Sequence, residues 1–581
     1  MKLFQKILSA FAIVLCVGLV LFLRFYQLGN IPQGINVDEA SYGYDAYSLL
    51  QTGKDIWGNR DTTLKSFGDY KPIGLSYTII PFIKLIGLST LSTRLPSAIF
   101  GVLTLVVTFF LLKLLTGKKS ISFIGVIVLG LSPWHFGLSR LFYEPNIGLF
   151  FLVSSFYFQL KYLKGERHLR FLIYSAILIA VGGYYYSVLR YLGVGILSIC
   201  IIIGNYKNPK TLVSQGLVAG LFWAIIAIPY LGDMFGSKGL VRLGQEGKMH
   251  EFGDVLVITE NRQMCYISSG YNPTIAKLCY GLWNKPGEKL INGTRTYIEL
   301  LSPKYLFLSG YQKDVVPEKS GAFLEILLPF YLIGLYVLTT SVKKYLENIY
   351  ILLCILFVNI PIALAGAQNI HRNVVGLYLV FLIIMYGISK SITYLGSKST
   401  IIKNITYTLI IIIFAWSQFR YLASYYFIFT RTQPDIWLSD SPQLMSWLGE
   451  NDKGREVYYY DFDFGPLIYS FYNNLDPVIV QKNIRWTPMN QYGWTHISSI
   501  EGLQTNRGNI WQDLCELNTS GSTKLLVVKG KKDEWQEVMQ FQTKDFTKVH
   551  VLHEVYDSKI LYDYLNKKDP LALKATCSSQ K

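Results

Sequence analysis

Two adjacent carboxylates, Asp38 and Glu39, stand in the stretch IPQGINVDEASYGYD (31–45), directly after the first long apolar run. Acids just outside a bilayer have two structural uses. They can sit in a solvated loop, or they can open a helix over 39–50, with Asp38 as N-cap and Glu39 complementing the dipole. They also have a chemical use, because a carboxylate beside an acceptor hydroxyl can take its proton as a displacement proceeds. Five further polar stretches carry charges at the ends of apolar runs. They are GDYKPIG (68–74) with Lys71, STRLPSAIFG (92–101) with Arg94, PWHFGLSRLFYEPN (133–146) with Arg140 and Glu144, GGYYYSVLRY (182–191) with Arg190, and GAQNIHRNVVG (366–376) with His371 and Arg372. Cations there would suit a leaving group whose negative charge grows as its bond breaks. Each residue alone also has a plain reading. The cations can snorkel to headgroups, Tyr184–Tyr186 can belong to an aromatic belt, Glu144 can be a helix N-terminal acid and His371 a satisfied polar residue. Their shared placement at span ends, beside an acid pair, argues for a site. Tyr42 is a further candidate.

The elements that must position these residues follow from composition. The 581 residues are 51% hydrophobic and 16% charged, with mean hydropathy +0.30, and the apolar residues come in long blocks. This is a polytopic α-helical membrane protein. The net charge of +17 does not indicate nucleic acid, because the Lys and Arg residues cluster in short connections between apolar blocks. The seven cysteines show no metal-ligand spacing. Cys16, Cys200 and Cys354 lie in apolar runs, whereas Cys265, Cys279, Cys515 and Cys577 fall in polar regions placed outside, where disulfides can form without the pairing being readable.

About 20 residues are needed to cross ~30 Å of hydrocarbon. Spans are expected at 7–22, where no small-residue cleavage site follows, and near 95–115, 120–138, 146–163, 170–186, 189–205, 211–231, 322–341, 348–366, 373–390 and 404–424, eleven in all. With the N-terminus cytoplasmic, every inside connection is basic: Lys113, Lys118 and Lys119; Lys161, Lys164, Arg167 and Arg170; Lys207 and Lys210; Lys343 and Lys344; Lys390, Lys398 and Lys403. Counting 73–88 as a span would reverse this, so that segment, interrupted by Pro81 and Lys84, is expected to be interfacial or re-entrant. The outer side then holds a first loop (28–94), a large loop (232–321) whose fold is left open, and a tail. The expected domains are a transmembrane domain over 1–424 and a small soluble α/β domain over 425–581, with helix at 443–449 and strands at 457–461, 524–529 and 549–556.

The order of the acid pair, the KP element, the RLPSA-like start of the second span and the S-R-x-x-x-E pattern after the third resembles the protein O-mannosyltransferase superfamily. That superfamily lies in the membrane-embedded GT-C class and includes the aminoarabinose transferases. The likeness is strongest over 1–200, looser to about 424, and extends to YSFYNNLDP (469–477). Glu144 stands where Asp is common, and HRN (371–373) where relatives have arginine followed by tyrosine. The resemblance implies a polyprenyl-phosphate sugar donor, a hydroxyl acceptor on protein, lipid or glycan, and a single inverting displacement on the outer face of a bacterial plasma membrane. A phosphate leaves without a general acid, unlike the two-carboxylate scheme of glycoside hydrolysis. Asp38 would be the base, Glu39 and Glu144 would orient acceptor or sugar, and Lys71 and Arg94 would hold the donor phosphate, with Arg140, Arg190 and Arg372 as weaker candidates. No cofactor is required; a divalent metal is admissible but not indicated. A transporter or flippase of a lipid-linked sugar is the alternative, and should place its charges near the midplane. A receptor or scaffold would leave the loop carboxylates idle.

Overall fold

The computed structural model describes residues 2–236, 255–309, 315–317, 320–366, 369–429, 434–452, 454–460, 462–490, 493–506, 515, 524–529, 553–568 and 570–579. The chain groups into two compact units. One comprises 1–26, 70–75 and 96–429; the other comprises 27–69, 76–95 and 430–581.

The first unit is built from long helices because an apolar run in hydrocarbon must satisfy every backbone polar group within itself. Each expected span falls on helix: α1 (Lys2–Phe25), α4 (Thr90–Thr116), α5 (Lys119–Leu131) with α6 (Pro133–Ser139), α7 (Glu144–Leu163), α8 (Leu169–Gly182), α9 (Leu189–Asn205), α10 (Pro209–Phe235), α14 (Leu328–Thr340), α15 (Leu346–Leu364), α16 (Val374–Gly396) and α17 (Thr400–Ala423). Five helices among the described residues are long and apolar enough to cross a membrane, or six if α5 and α6 count as one span. The expected single helix at 120–138 is bent by 66°. Ser132 is extended there and Pro133, which has no N–H to donate, opens the second arm. Helix packing uses small residues and buried polar glue. Gly334 of α14 and Gly387 of α16 face each other's helix so closely that an added Cβ would meet the carbonyls of Ile383 and Phe330. Gln159 of α7 donates to Ser155 and Ser175, both at 2.8 Å, and accepts from the Tyr350 hydroxyl at 2.6 Å.

The large loop is also helical where described, with α11 over 255–268, α12 (Pro273–Leu282) and α13 (Lys285–Leu300). A disulfide joins Cys265 to Cys279, and another joins Cys515 to Cys577. All four half-cystines lie in segments expected outside, and the three free cysteines, Cys16, Cys200 and Cys354, lie in helices of the first unit.

The second unit holds a six-stranded sheet in the order β4-β5-β6-β3-β7-β8. Strand β3 (Val457–Tyr460) runs parallel to β6 (Leu503–Asn506) and β7 (Leu525–Lys529). The remaining pairs, β4 (Arg485–Trp486) with β5 (Ile497–Ile500), β5 with β6, and β7 with β8 (His553–Asp557), are antiparallel. Strands expected at 457–461, 524–529 and 549–556 are β3, β7 and β8, with 461 and 549–552 outside the described residues; the expected helix at 443–449 lies inside Ser441–Asn451. The core of this unit also takes in the first loop. Ile35, Ala40, Tyr44, Ile56 and Phe67 are buried in one cluster with Leu444, Met445, Val457, Tyr459 and Phe471. Helix α2 (Val37–Thr52) supplies Ala40 and Tyr44, and the Tyr44 hydroxyl donates to the carbonyl of Leu475 at 2.6 Å. Residues 28–94, assigned from sequence to a loop of the transmembrane domain, therefore share a core with the tail over most of their length.

Candidate functional site

The acid pair opens α2, and its two carboxylates have different surroundings. Asn36, rather than Asp38, is the N-cap: its side chain accepts from the Asp38 N–H at 2.9 Å, while Glu39 at N3 accepts from the Asn36 N–H at 3.2 Å. This reciprocal capping box was legible as N-x-x-E at 36–39. Glu39 is fully buried against Arg94 of α4, whose Nε and Nη2 donate to its two oxygens at 2.7 and 2.9 Å. The other Arg94 donors reach the carbonyls of Leu28 (3.2 Å), Pro32 (2.9 Å) and Gly34 (3.0 Å). A guanidinium has five N–H donors, and these contacts use all five. Gly34 adopts a φ of +87°, and a Cβ there would collide with the carbonyl of Trp437. Glu39 and Arg94 thus clamp the loop 28–36 onto the start of α2, while Asp38 is exposed. Tyr42, one turn on, is buried at 3% exposure, and its carbonyl accepts from the Ser76 hydroxyl at 3.2 Å.

The other sequence candidates meet within the first unit. Lys71 lies in β2 (Tyr70–Pro72) and is buried at 5% exposure; beside it the Gly74 N–H donates to the carbonyl of Tyr184 at 2.9 Å. Tyr143, preceding half-buried Glu144, stacks on His371 with ring centres 5.2 Å apart. The Tyr186 hydroxyl donates to the carbonyl of Arg372 at 3.3 Å, and Arg372 is half-buried. Asn146 donates to the carbonyl of Ser97 at 2.8 Å. These contacts join the five stretches into one chain of neighbours.

Two of the arginines are built into packing. Arg140, fully buried, donates through Nη1 to the carbonyls of Leu23 (2.7 Å) and Arg24 (3.0 Å) at the end of α1, among the rings of Phe136, Tyr425 and Tyr426. Arg190 donates to the carbonyl of Gly183 at 3.0 Å and lies 4.5 Å from the centre of the Tyr230 ring. A pair absent from the sequence reading lies nearby: Arg24 donates to the carbonyl of Gly130 at 2.8 Å and meets His135 Nδ1 at 2.7 Å. Because guanidinium has no acceptor, that nitrogen must accept, which leaves the imidazole neutral with its proton on Nε2. In the second unit, burial raises the Asp55 carboxyl above the usual carboxylate range, with Asp45 adding to the shift. Among the described residues no three His, Cys, Asp or Glu side chains are grouped as metal ligands.

Residues 70–232 match the family model described as dolichyl-phosphate-mannose-protein mannosyltransferase. Across 94% of this chain and 97% of the other, the fold is similar to that of ArnT from Cupriavidus metallidurans in its undecaprenyl phosphate-bound crystal structure, with TM-score 0.51 and 11% identity. The chain carries a GT-C-type fold. The oligosaccharyltransferase AglB from Archaeoglobus fulgidus, in complex with an inhibitory peptide and a dolichol-phosphate, is similar at TM-score 0.44 and 12% identity over 90% of this chain and 70% of that one. No curated protein matches. The KP element and the RLPSA start lie within the matched residues 70–232, while the acid pair lies before them.

Proposed function

We propose that this GT-C protein moves a sugar from a polyprenyl-phosphate donor to an acceptor hydroxyl on the outer face of the membrane, in one inverting displacement with Asp38 as general base. The observation that carries this reading is the division of labour at the start of α2. Capping is done by Asn36 and Glu39, and Glu39 is bound by Arg94, so the exposed carboxylate of Asp38 is not the helix cap. The matched mannosyltransferase family and the undecaprenyl phosphate of the ArnT crystal structure support the donor class. Lys71 is the leading candidate for the donor phosphate, with Arg190 and Arg372 behind it. Arg94 is reassigned to positioning, since its five donors are taken by Glu39 and the loop carbonyls. Glu144, next to the Tyr143–His371 stack, would orient acceptor or sugar. The acceptor is a hydroxyl of protein, lipid or glycan, and no step in this scheme needs a metal. The scheme places the N-terminus in the cytoplasm of a bacterial cell and the tail outside.

The test is turnover of purified protein with labelled polyprenyl-phosphate sugars and a panel of acceptors. Asp38→Asn keeps size and removes basicity, so turnover should fall by about 10²-fold or more while donor binding survives. Lys71→Ala should instead weaken donor binding. Near-normal turnover in Asp38→Asn would remove Asp38 from the chemistry, and transport of an unmodified lipid-linked sugar without transfer would replace the enzyme reading.

A further inference from the structure

Residues 255–300 belong to the large loop (232–321), expected to be a polar region outside the bilayer, yet their three helices display apolar side chains outward. Leu256, Met264, Leu278, Leu282 and Leu290 are 57%, 59%, 59%, 57% and 67% exposed. Scattered exposed leucines are ordinary, but a run of them on three successive helices of one segment points to a binding face or contact with lipid. The inward face of α13 carries Glu288, Gly293, Thr296 and Leu300, while Leu290, Ile291 and Ile298 are directed away from it.

What covers them follows from the packing of α13 on α15. A Cβ at Gly293 would lie 3.6 Å from the side chain of Leu364, and the Tyr297 hydroxyl donates to the carbonyl of Leu356 at 3.2 Å. These two contacts run in opposite directions along the two helices, so α13 is antiparallel to the last turns of α15, with the Tyr297 ring reaching on toward its middle. Helix α15 is long and apolar enough to cross the membrane, and it exposes Leu353, Leu356 and Ile360 along the same stretch. A helix packed along the last turns of a membrane-crossing helix is held at the edge of the hydrocarbon. Ile298, beside Tyr297, is 64% exposed along the same stretch.

We propose that residues 255–300 form a lipid-embedded hairpin, seated in the outer leaflet with α13 dipping along α15, whose partner is the bilayer itself. The exposed lysines at 277, 285 and 289 would reach headgroup phosphates while their stems cover apolar surface. The Cys265–Cys279 disulfide ties α11 to α12.

Full-length protein reconstituted in phosphatidylcholine vesicles with anionic lipid tests this. An environment-sensitive fluorophore on a single cysteine at Leu278 or Ile291, in a Cys16→Ala, Cys200→Ala, Cys354→Ala background that keeps both disulfides, should lose most of its emission to nitroxide-labelled lipid and little to aqueous iodide. The same label at Glu501, exposed in the second unit, should show the reverse. A second readout needs no cysteine change: benzoylphenylalanine in place of Tyr280, 61% exposed, should photo-crosslink to labelled phospholipid. Iodide quenching at Leu278 and Ile291 would overturn the proposal in favour of a solvated loop. Protection from both quenchers, with Tyr280 adducts to protein, would overturn it in favour of a protein contact.

Discussion

The molecule buries arginines in two ways. In the second unit Arg94 is neutralised by the carboxylate of Glu39 and spends its remaining donors on three carbonyls of one loop. In the first unit Arg140 and Arg24 are met by backbone carbonyls, aromatic rings and a neutral imidazole. A full charge opposite a full charge, both dry, makes each partner depend on the other, because removing either leaves a buried ion uncompensated. Carbonyls at the C-terminal end of a helix attract a cation through partial negative charge, and Arg140 fastens the end of α1 through two of them. The Glu39–Arg94 clamp lies next to Asp38, the proposed base.

The largest expected effect comes from breaking that clamp. Arg94→Ala should destabilise the protein by about 3–5 kcal/mol, the scale for orphaning a buried charge, seen as lost yield of monodisperse protein or an early thermal transition. Glu39→Gln combined with Arg94→Leu should cost less than the sum of the single changes. Simple additivity in that double-mutant cycle would show that the two residues do not act as a pair. Next comes Arg140→Lys, which keeps the charge but loses the fork that spans the Leu23 and Arg24 carbonyls. A loss of roughly 1.5–3 kcal/mol is expected for such charged hydrogen bonds, with the donor KM unchanged. A raised donor KM at unaltered stability would return Arg140 to the phosphate site. The smallest effect is expected at Asp55. Its raised carboxyl binds a proton in the folded state at a pH where the unfolded chain has released it, so this group costs stability as pH rises from its ordinary value of 3.8 through the raised one. Asp55→Asn can still accept from the N–H groups of Trp57 and Asn59 and should make melting less sensitive to pH across that window. An unchanged pH profile would assign the sensitivity to other acids.

The long helices were legible because runs of about 20 apolar residues leave a chain in lipid few alternatives. The bend at Ser132–Pro133 had its signal in the proline and went unread, because the apolar run continues through it. In the tail, β3, β7 and β8 were visible as apolar or alternating runs, but β4 is only two residues long and β5 reads ISSI, too little pattern to register. At the site, sequence reading found Arg94 but could not find its partners. Three of the groups it binds are backbone carbonyls of Leu28, Pro32 and Gly34, whose side chains carry no trace of the role. The Asn36 cap was visible, but the adjacent acids drew the capping assignment to Asp38. The apolar faces of α12 and α13 were diluted by lysines at helical spacing, which makes a buried or lipid-facing stripe read as a polar loop.

The Arg94 clamp also sets an order of events during synthesis. Its ligands lie 55 to 66 residues earlier in the chain, so at usual elongation rates the loop around Asp38 waits roughly 3–13 s after it is made for the arginine that shapes it. During that interval Glu39 has no arginine from α4 and Gly34 has no reason to hold its unusual backbone angle. The loop around Asp38 cannot be finished by the segment that encodes it; its final geometry is imposed retroactively, when the head of α4 arrives.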